Sequence, residues 1–262
     1  MEVEVLENER IDDLQIKGLK IIQDRDGFCF GVDAVLLANF AEVKKGEKVV
    51  DLGTGTGIIP ILIAGKTQAS SIIGVEIQKK VADMAGRSVI LNNLESRVKI
   101  VNNDLKKASE YLDKGGFDVV TTNPPYKNSG SGIVNPTDSK AISRHEIKCS
   151  LEDVISTSFF LLKDGGKFFM VHRPERIVDV LCIMRKYKLE PKKIRFVHPY
   201  HGKKPNLFLV EGLKYGKPFL NFMDPLYVYD GDGNFSKEII DIYGRDVLWW
   251  ENFTFAGHLL EI

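Results

Sequence analysis

Val49-Val50-Asp51-Leu52-Gly53-Thr54-Gly55-Thr56-Gly57 is a short apolar run that ends on a carboxylate and then on three alternating glycines. Val49 and Val50 have the character of a buried parallel strand, and residues 58–64 have the apolar density of the helix that follows. A glycine turn between strand and helix bends tightly and lets a ligand lie against Gly53, Gly55 and Gly57 without interference from a Cβ. The carboxyl end of a strand is also where open α/β sheets bind their ligands.

The spacing speaks against a dinucleotide. In the G-x-G-x-x-G fingerprint the third glycine comes one residue later, where this chain has Ile58. Asp51 would repel a pyrophosphate and attract an ammonium or sulfonium group; S-adenosylmethionine carries both cations. Residues 71–76 read as a second buried strand ending on Glu76, about 20 residues past the turn, the distance at which ribose-binding acids sit. Glu76 can accept from both ribose hydroxyls, with Ile77 beside it. A helix over 78–92 and a strand over 98–101 lead to Asp104 and Leu105 at the next strand end. There a carboxylate accepts from the adenine amino group or caps a helix from Leu105 onward. Three successive strand ends carrying Asp51, Glu76 and Asp104 argue for an adenosine-bearing ligand. Upstream, Asp33 is placed to cap an apolar helix running to about residue 41. The rival reading is that Phe30, Gly31 and Asp33 line the methionine end of the cofactor.

The fourth strand, 117–122, runs into Asn123-Pro124-Pro125-Tyr126. Two prolines remove two backbone donors, so the loop presents carbonyls and the Asn123 side chain as acceptors. An amine conjugated to a base or amide is a poor nucleophile. Two acceptors on its hydrogens, the Asn123 side-chain oxygen and the Pro124 carbonyl, would hold its lone pair toward a methyl donor. Tyr126 offers an aromatic face to a planar substrate; its hydroxyl has no evident use.

Asp51 to Gly57 together with Asn123 to Tyr126 resembles the amino-methyltransferase branch of the class I S-adenosylmethionine-dependent methyltransferases. Residues 28–38 and Ser143-Arg144-His145-Glu146 resemble more narrowly the bacterial tRNA adenine-6-amino methyltransferases, some of which modify the adenine beside the anticodon of a valine tRNA. The resemblance covers residues 11 to about 243. It departs at Lys127-Asn128-Ser129, where many relatives keep an aromatic, and in the tail from Val247. It implies a Rossmann-like α/β fold with a seven-stranded sheet, parallel except for a reversed last strand, and methyl transfer to the 6-amino group of an adenine in tRNA or another structured RNA. A protein glutamine methyltransferase shares Asn-Pro-Pro-Tyr but places a larger helical domain before the glycine turn. A DNA adenine methyltransferase would need a separate target-recognition domain. An RNA-binding module without catalysis is the reading from another class, and intact Asp51, Glu76 and Asn123 argue against it.

The remaining segments divide the chain into an N-terminal hairpin or flap over residues 1–30, a catalytic domain over 31–212 and a C-terminal extension over 213–262. The hairpin is expected over 14–23, around Gly18. Residues 151–162 read as a helix, 167–172 as a fifth strand and 175–188 as a helix. Residues 192–198 and 207–211 read as an antiparallel pair, because the link between them is too short for a crossover helix. Lys127, Lys140 and Arg144 make the long loop over 127–148 basic. Lys192, Lys193, Lys203 and Lys204 make the hairpin edge basic. Both suit a phosphate backbone, and both suit a merely solvated surface.

Composition sets outer limits. With 262 residues and 44% hydrophobic content the chain can bury one substantial core. Lysine plus arginine and aspartate plus glutamate number 36 each, so RNA must be met by a local patch. Three scattered cysteines suggest neither zinc nor disulfides and fit a reducing cytoplasm. No apolar run approaches a membrane span. Asp230-Gly231-Asp232-Gly233-Asn234 superficially resembles a calcium loop, but the twelfth position holds Asp241 in place of the bidentate glutamate, and the stretch reads as a turn, so no metal is expected. The chain is expected to act as a monomer or homodimer.

Overall fold

The structure, a computed structural model, describes residues 3–27, 31–126 and 149–244. Phe30, the basic loop with Lys127, Lys140 and Arg144, and the aromatic tail lie outside the described residues.

The strands that matter most form where apolar runs are continuous. β3 (Lys48–Leu52), β4 (Ser71–Glu76), β5 (Val98–Asn102), β6 (Phe117–Thr122) and β7 (Leu162–His172) pair in parallel in the spatial order β7-β6-β3-β4-β5. β9 (Leu207–Lys214) is antiparallel to both β7 and β8 (Leu189–His198), and is the expected reversed strand. Among the described residues the sheet has nine strands where seven are expected. β10 (Asn221–Phe222) and β11 (Leu226–Tyr227), two residues each, pair in parallel along β8. β11 falls within the strand-like run of residues 226–229, whereas the two residues of β10 carry too little period to be read from sequence.

Alternation along the strands builds a core on each face. Val49, Val119 and Phe169 face α1 (Val32–Phe40) and α2 (Ile58–Lys66). Val50, Val120, Phe168 and Met170 face α4 (Leu151–Leu161) and α5 (Ile177–Lys186). Between β4 and β5, α3 (Lys79–Leu91) lies on the first face, contributing Val89 to its core.

The N-terminal hairpin differs from expectation. Its strands are β1 (Glu9–Asp13) and β2 (Lys20–Asp24), and residues 14–19 are their connection. It is anchored rather than flap-like. Leu14, Ile16, Ile21 and Ile22 are buried, and Ile22 N and Lys20 N donate to Ser88 Oγ at 2.9 Å and Asn92 Oδ1 at 2.8 Å on α3. Arg87 on the same helix clasps Glu9 through two bonds of 2.6 Å, which hold the Glu9 carboxyl below its usual pKa.

The extension is equally embedded. Leu226, Val228, Ile239 and Ile242 join the first core, the last two from α6 (Lys237–Tyr243). Arg195 on β8 binds Glu238 bidentately at 2.6 and 2.8 Å. At the calcium-like turn, Asp230 Oδ1 accepts from the backbone of Asp232 and Asn234, each at 2.9 Å, so the carboxylate ties its own loop. Among the described residues no cluster of three or more His, Cys, Asp or Glu could hold a metal ion, and no helix is long and apolar enough to cross a membrane.

Candidate active site

Register builds the site. Leu52 pairs with Val75 on one side and Thr122 on the other, so the glycine turn after β3 and the Asn-Pro-Pro-Tyr loop after β6 leave the sheet side by side. β3 is also where strand order reverses, with β4 and β5 to one side and β6 to the other. Open α/β sheets form their ligand crevice at such a switch point.

Gly53, Gly55 and Gly57 have φ of +72°, +57° and +87°, the left-handed region that favours glycine. A Cβ on Gly53 or Gly55 would meet nothing within 4 Å, so the turn faces open space. Gly53 N and Thr54 N both donate to Val75 O at 2.9 Å, docking the turn on β4. Glu76 is buried, and its two carboxylate oxygens accept from Gly55 N at 3.0 Å and Gln78 N at 2.9 Å. It therefore shapes the turn; Oε1 also accepts from Gln78 Nε2 at 3.4 Å, which leaves the remaining acceptor capacity chiefly on Oε2 for a ligand hydroxyl. Ile77 beside it is 36% exposed, an apolar surface on the rim.

Asp51 is fully buried. One carboxylate oxygen accepts from Thr121 Oγ1 at 2.7 Å, and the other, Oδ2, has no partner among the described residues. Burial pushes its pKa up to about 6, and the negative charge of Glu76 adds to the rise. A buried carboxylate short of a donor is poised to meet a cation.

Asp104 caps the short 3-10 helix Leu105–Glu110, accepting from Lys106 N at 3.0 Å. Leu105 is half-buried against the core of the second face.

The structure corrects the capping role expected of Asp33. Gly31 occupies the N-cap of α1 and Asp33 lies in its first turn. Asp33 Oδ1 accepts from Ala34 N at 2.8 Å, and Oδ2 reaches across the fold to accept from Asn123 Nδ2 at 3.1 Å and from the Tyr126 hydroxyl at 2.6 Å. The same hydroxyl lies 2.7 Å from Asn123 Oδ1, so this group, for which no use is expected from the sequence, is held on two sides. Within the loop Pro124 is buried and Pro125 exposed.

Three neighbours carried no signal in the sequence. Thr121 binds Asp51. His172, at the end of β7, presents its ring at 5.4 Å from that of Tyr126. Burial and the nearby Arg176 lower its pKa to about 4, so it is neutral at physiological pH, and its Nδ1 accepts from Arg173 N at 2.8 Å. The Arg173 guanidinium stands 5.1 Å over the Tyr126 ring. Only adjacency of β6 and β7 in the sheet brings these groups to the loop.

The four lysines of the β8 and β9 hairpin separate. Lys203 and Lys204 are exposed in the loop over 199–206, at the same end of the sheet as Asn123, and Arg173 links this loop to the site through Asn206 O at 3.5 Å. Lys193 is not free for phosphate. It forms ion pairs with Glu42 at 2.5 Å and Glu211 at 3.0 Å. Lys192 donates to Lys217 O at 3.0 Å.

Comparison with known proteins returns methyltransferases by sequence and by fold. A protein of Aeromonas salmonicida named tRNA1(Val) (adenine(37)-N6)-methyltransferase is 26% identical over 195 residues, covering 74% of this chain and 80% of its own. One of the same name from Tolumonas auensis is 25% identical, covering 86% and 92%. Among solved structures, a predicted O-methyltransferase of Agrobacterium tumefaciens superposes with a TM-score of 0.66 at 22% identity, covering 80% of this chain and 95% of that one. A geranyl diphosphate C-methyltransferase of Streptomyces coelicolor, solved with S-adenosyl-L-homocysteine, gives 0.54 at 14% identity, covering 70% and 80%. These two share the fold. The methyltransferase small-domain profile matches residues 30–186, which span the glycine turn, the Asn-Pro-Pro-Tyr loop and β7, and the chain belongs to that family.

Proposed function

We propose that this protein transfers a methyl group from S-adenosylmethionine to the exocyclic 6-amino group of an adenine in tRNA. The observation that carries the reading is the register of β3 against β6, which sets the Asp51 turn and Asn123 side by side. The unpartnered Asp51 Oδ2, the open face of Gly53 and Gly55, and the remaining lone pairs of Glu76 fit a cationic, ribose-bearing cofactor. The names of the relatives support adenine in tRNA as the acceptor.

When bound, the cofactor supplies an electrophilic methyl carbon. The chain's own residues then do three things. Asp51 offsets the cofactor's positive charge from a fully buried position, where the interaction is less screened by water. Asn123 Oδ1 and the Pro124 carbonyl accept from the target amine and aim its lone pair. Tyr126 gives the base a face to stack on, worth about 1–3 kcal/mol. No strong base is needed before transfer, because the proton leaves afterwards from a cationic amine.

The test is incubation with methyl-labelled S-adenosylmethionine and total tRNA, followed by mass spectrometry of the nucleosides. Labelled N6-methyladenosine is expected; label in any other nucleoside, or in protein alone, would overturn the reading.

A further inference from the structure

The contacts among Asp33, Asn123 and Tyr126 are one proton short. The Tyr126 hydroxyl has a single hydrogen, yet it lies 2.6 Å from Asp33 Oδ2 and 2.7 Å from Asn123 Oδ1, both of them acceptors. The carboxylate is the stronger acceptor and the shorter contact, so it takes the phenolic proton. Asn123 Oδ1 then faces a lone pair of the phenol oxygen. The amide cannot escape by turning over. Its Nδ2 donates to Asp33 Oδ2 at 3.1 Å, and the reverse orientation would set oxygen against carboxylate.

We propose that Asp33 is a positioning residue for methyl transfer: it fixes the Asn123 amide with its carbonyl toward the substrate and draws the Tyr126 proton away from that carbonyl. Asn123 Oδ1 is left wanting a donor, and an N–H of the target amine is that donor. The proposal rests on the methyl-transfer reading above and adds to it the residue that decides which end of the amide the substrate meets. It also assigns to Asp33, at the start of α1, a task other than cofactor binding, although α1 and the Asn-Pro-Pro-Tyr loop are 90 residues apart in sequence.

The test compares Asp33→Ala and Asp33→Asn with wild type in steady-state methyl transfer to tRNA and in calorimetric binding of S-adenosylhomocysteine. Asp33→Asn keeps the shape and carries the test if Asp33→Ala does not fold. A fall in kcat of about tenfold or more in both, with product affinity held within about threefold, is expected. Adding Asp33→Ala to Asn123→Ala should cost little beyond Asn123→Ala alone, because both act on one interaction. Weakened binding of S-adenosylhomocysteine with kcat intact at saturating cofactor would overturn the proposal and make Asp33 a cofactor ligand.

A second measurement needs no activity. In protein labelled with 15N-asparagine, the Asn123 side-chain amide should shift and exchange faster with solvent in Asp33→Asn; an unmoved resonance would refute the contact. If wild type methylates an amine other than adenine, the functional reading falls, and the same kinetic comparison on that amine still judges Asp33.

Discussion

Asp51 is fully buried, and its Oδ2 has no partner among the described residues. Its carboxyl titrates near pH 6 because burial disfavours the charge, whereas in the unfolded chain it would titrate near 3.8. A folded pKa above the unfolded one means that the native state binds the extra proton between about pH 4 and pH 6. Stability from this group is therefore full below that window and is lost as pH rises through it, by up to about 3 kcal/mol. Asp51→Asn should melt higher than wild type above pH 6 in the absence of cofactor, and the gap should close toward pH 4. Cofactor affinity runs the other way. It should weaken in Asp51→Asn, and in wild type it should fall by up to about tenfold per unit as pH drops below 6, because a cation must displace the proton. Calorimetry between pH 5 and 7.5 checks both; a pH-independent affinity would remove Asp51 from the cofactor's electrostatics. Glu76→Ala reads differently, since the carboxylate also ties Gly55 and Gln78. A loss of roughly 1–3 kcal/mol in cofactor binding is expected, together with a lower melting temperature. An unchanged calorimetric affinity would sink the ribose assignment.

Single elements were legible in proportion to how evenly they are buried. β4 and β6 begin and end where the apolar runs do, because both faces of these strands are covered. β7 is longer than expected: Leu162 pairs with Phe117 and Lys167 with Val119, and the turn-like Lys163-Asp164-Gly165-Gly166 lies between them in an irregularity of the register. β8 starts at Leu189, ahead of Pro191, which stands opposite Gly212, and the register shift that follows leaves Lys192 as the extra residue. What the chain hides is contact between elements. Asp33 with Tyr126, His172 with Tyr126 and Asp51 with Thr121 are each consequences of sheet order, which periodicity along one segment does not contain. Gly74 is a further case. It sits mid-strand in β4 without a turn to explain it, yet a Cβ there would come within 2.9 Å of both Thr54 Oγ1 and Thr54 Cγ2. The glycine turn can lie flat on β4 only because Gly74 leaves room. Gly74→Ala should destabilise the fold by about 1–3 kcal/mol and weaken cofactor binding through the displaced turn. Wild-type melting and cofactor affinity in that variant would show that the turn is not packed as described.

The proposed tRNA substrate is a polyanion, whereas the chain carries no net charge. The sheet sorts its lysines. Lys193 is neutralised by Glu42, just past the C-terminal end of α1, and by Glu211. Lys203 and Lys204 stand exposed in the loop beyond the C-terminal end of β8. Their loop is stiffened where His198 Nδ1 donates to Lys203 O at 2.6 Å, and the neighbouring rings of Tyr200 and Tyr229 stack at 5.1 Å. A fixed cationic loop beside the target-amine site can hold RNA backbone without a global field. Replacing Lys203 and Lys204 together by alanine should weaken tRNA binding and flatten its dependence on log salt by about one to two units of slope, while cofactor affinity stays put. Lys192→Ala with Lys193→Ala is the internal control. It should leave the slope unchanged and lower the melting temperature, because Glu42 and Glu211 each lose a cation. Fluorescence anisotropy across a salt series decides between the two ends of the hairpin. A slope reduced by the Lys192 and Lys193 pair but untouched by the Lys203 and Lys204 pair would place the RNA against the middle of β8, and would mean that the ion pairs with Glu42 and Glu211 open when RNA binds.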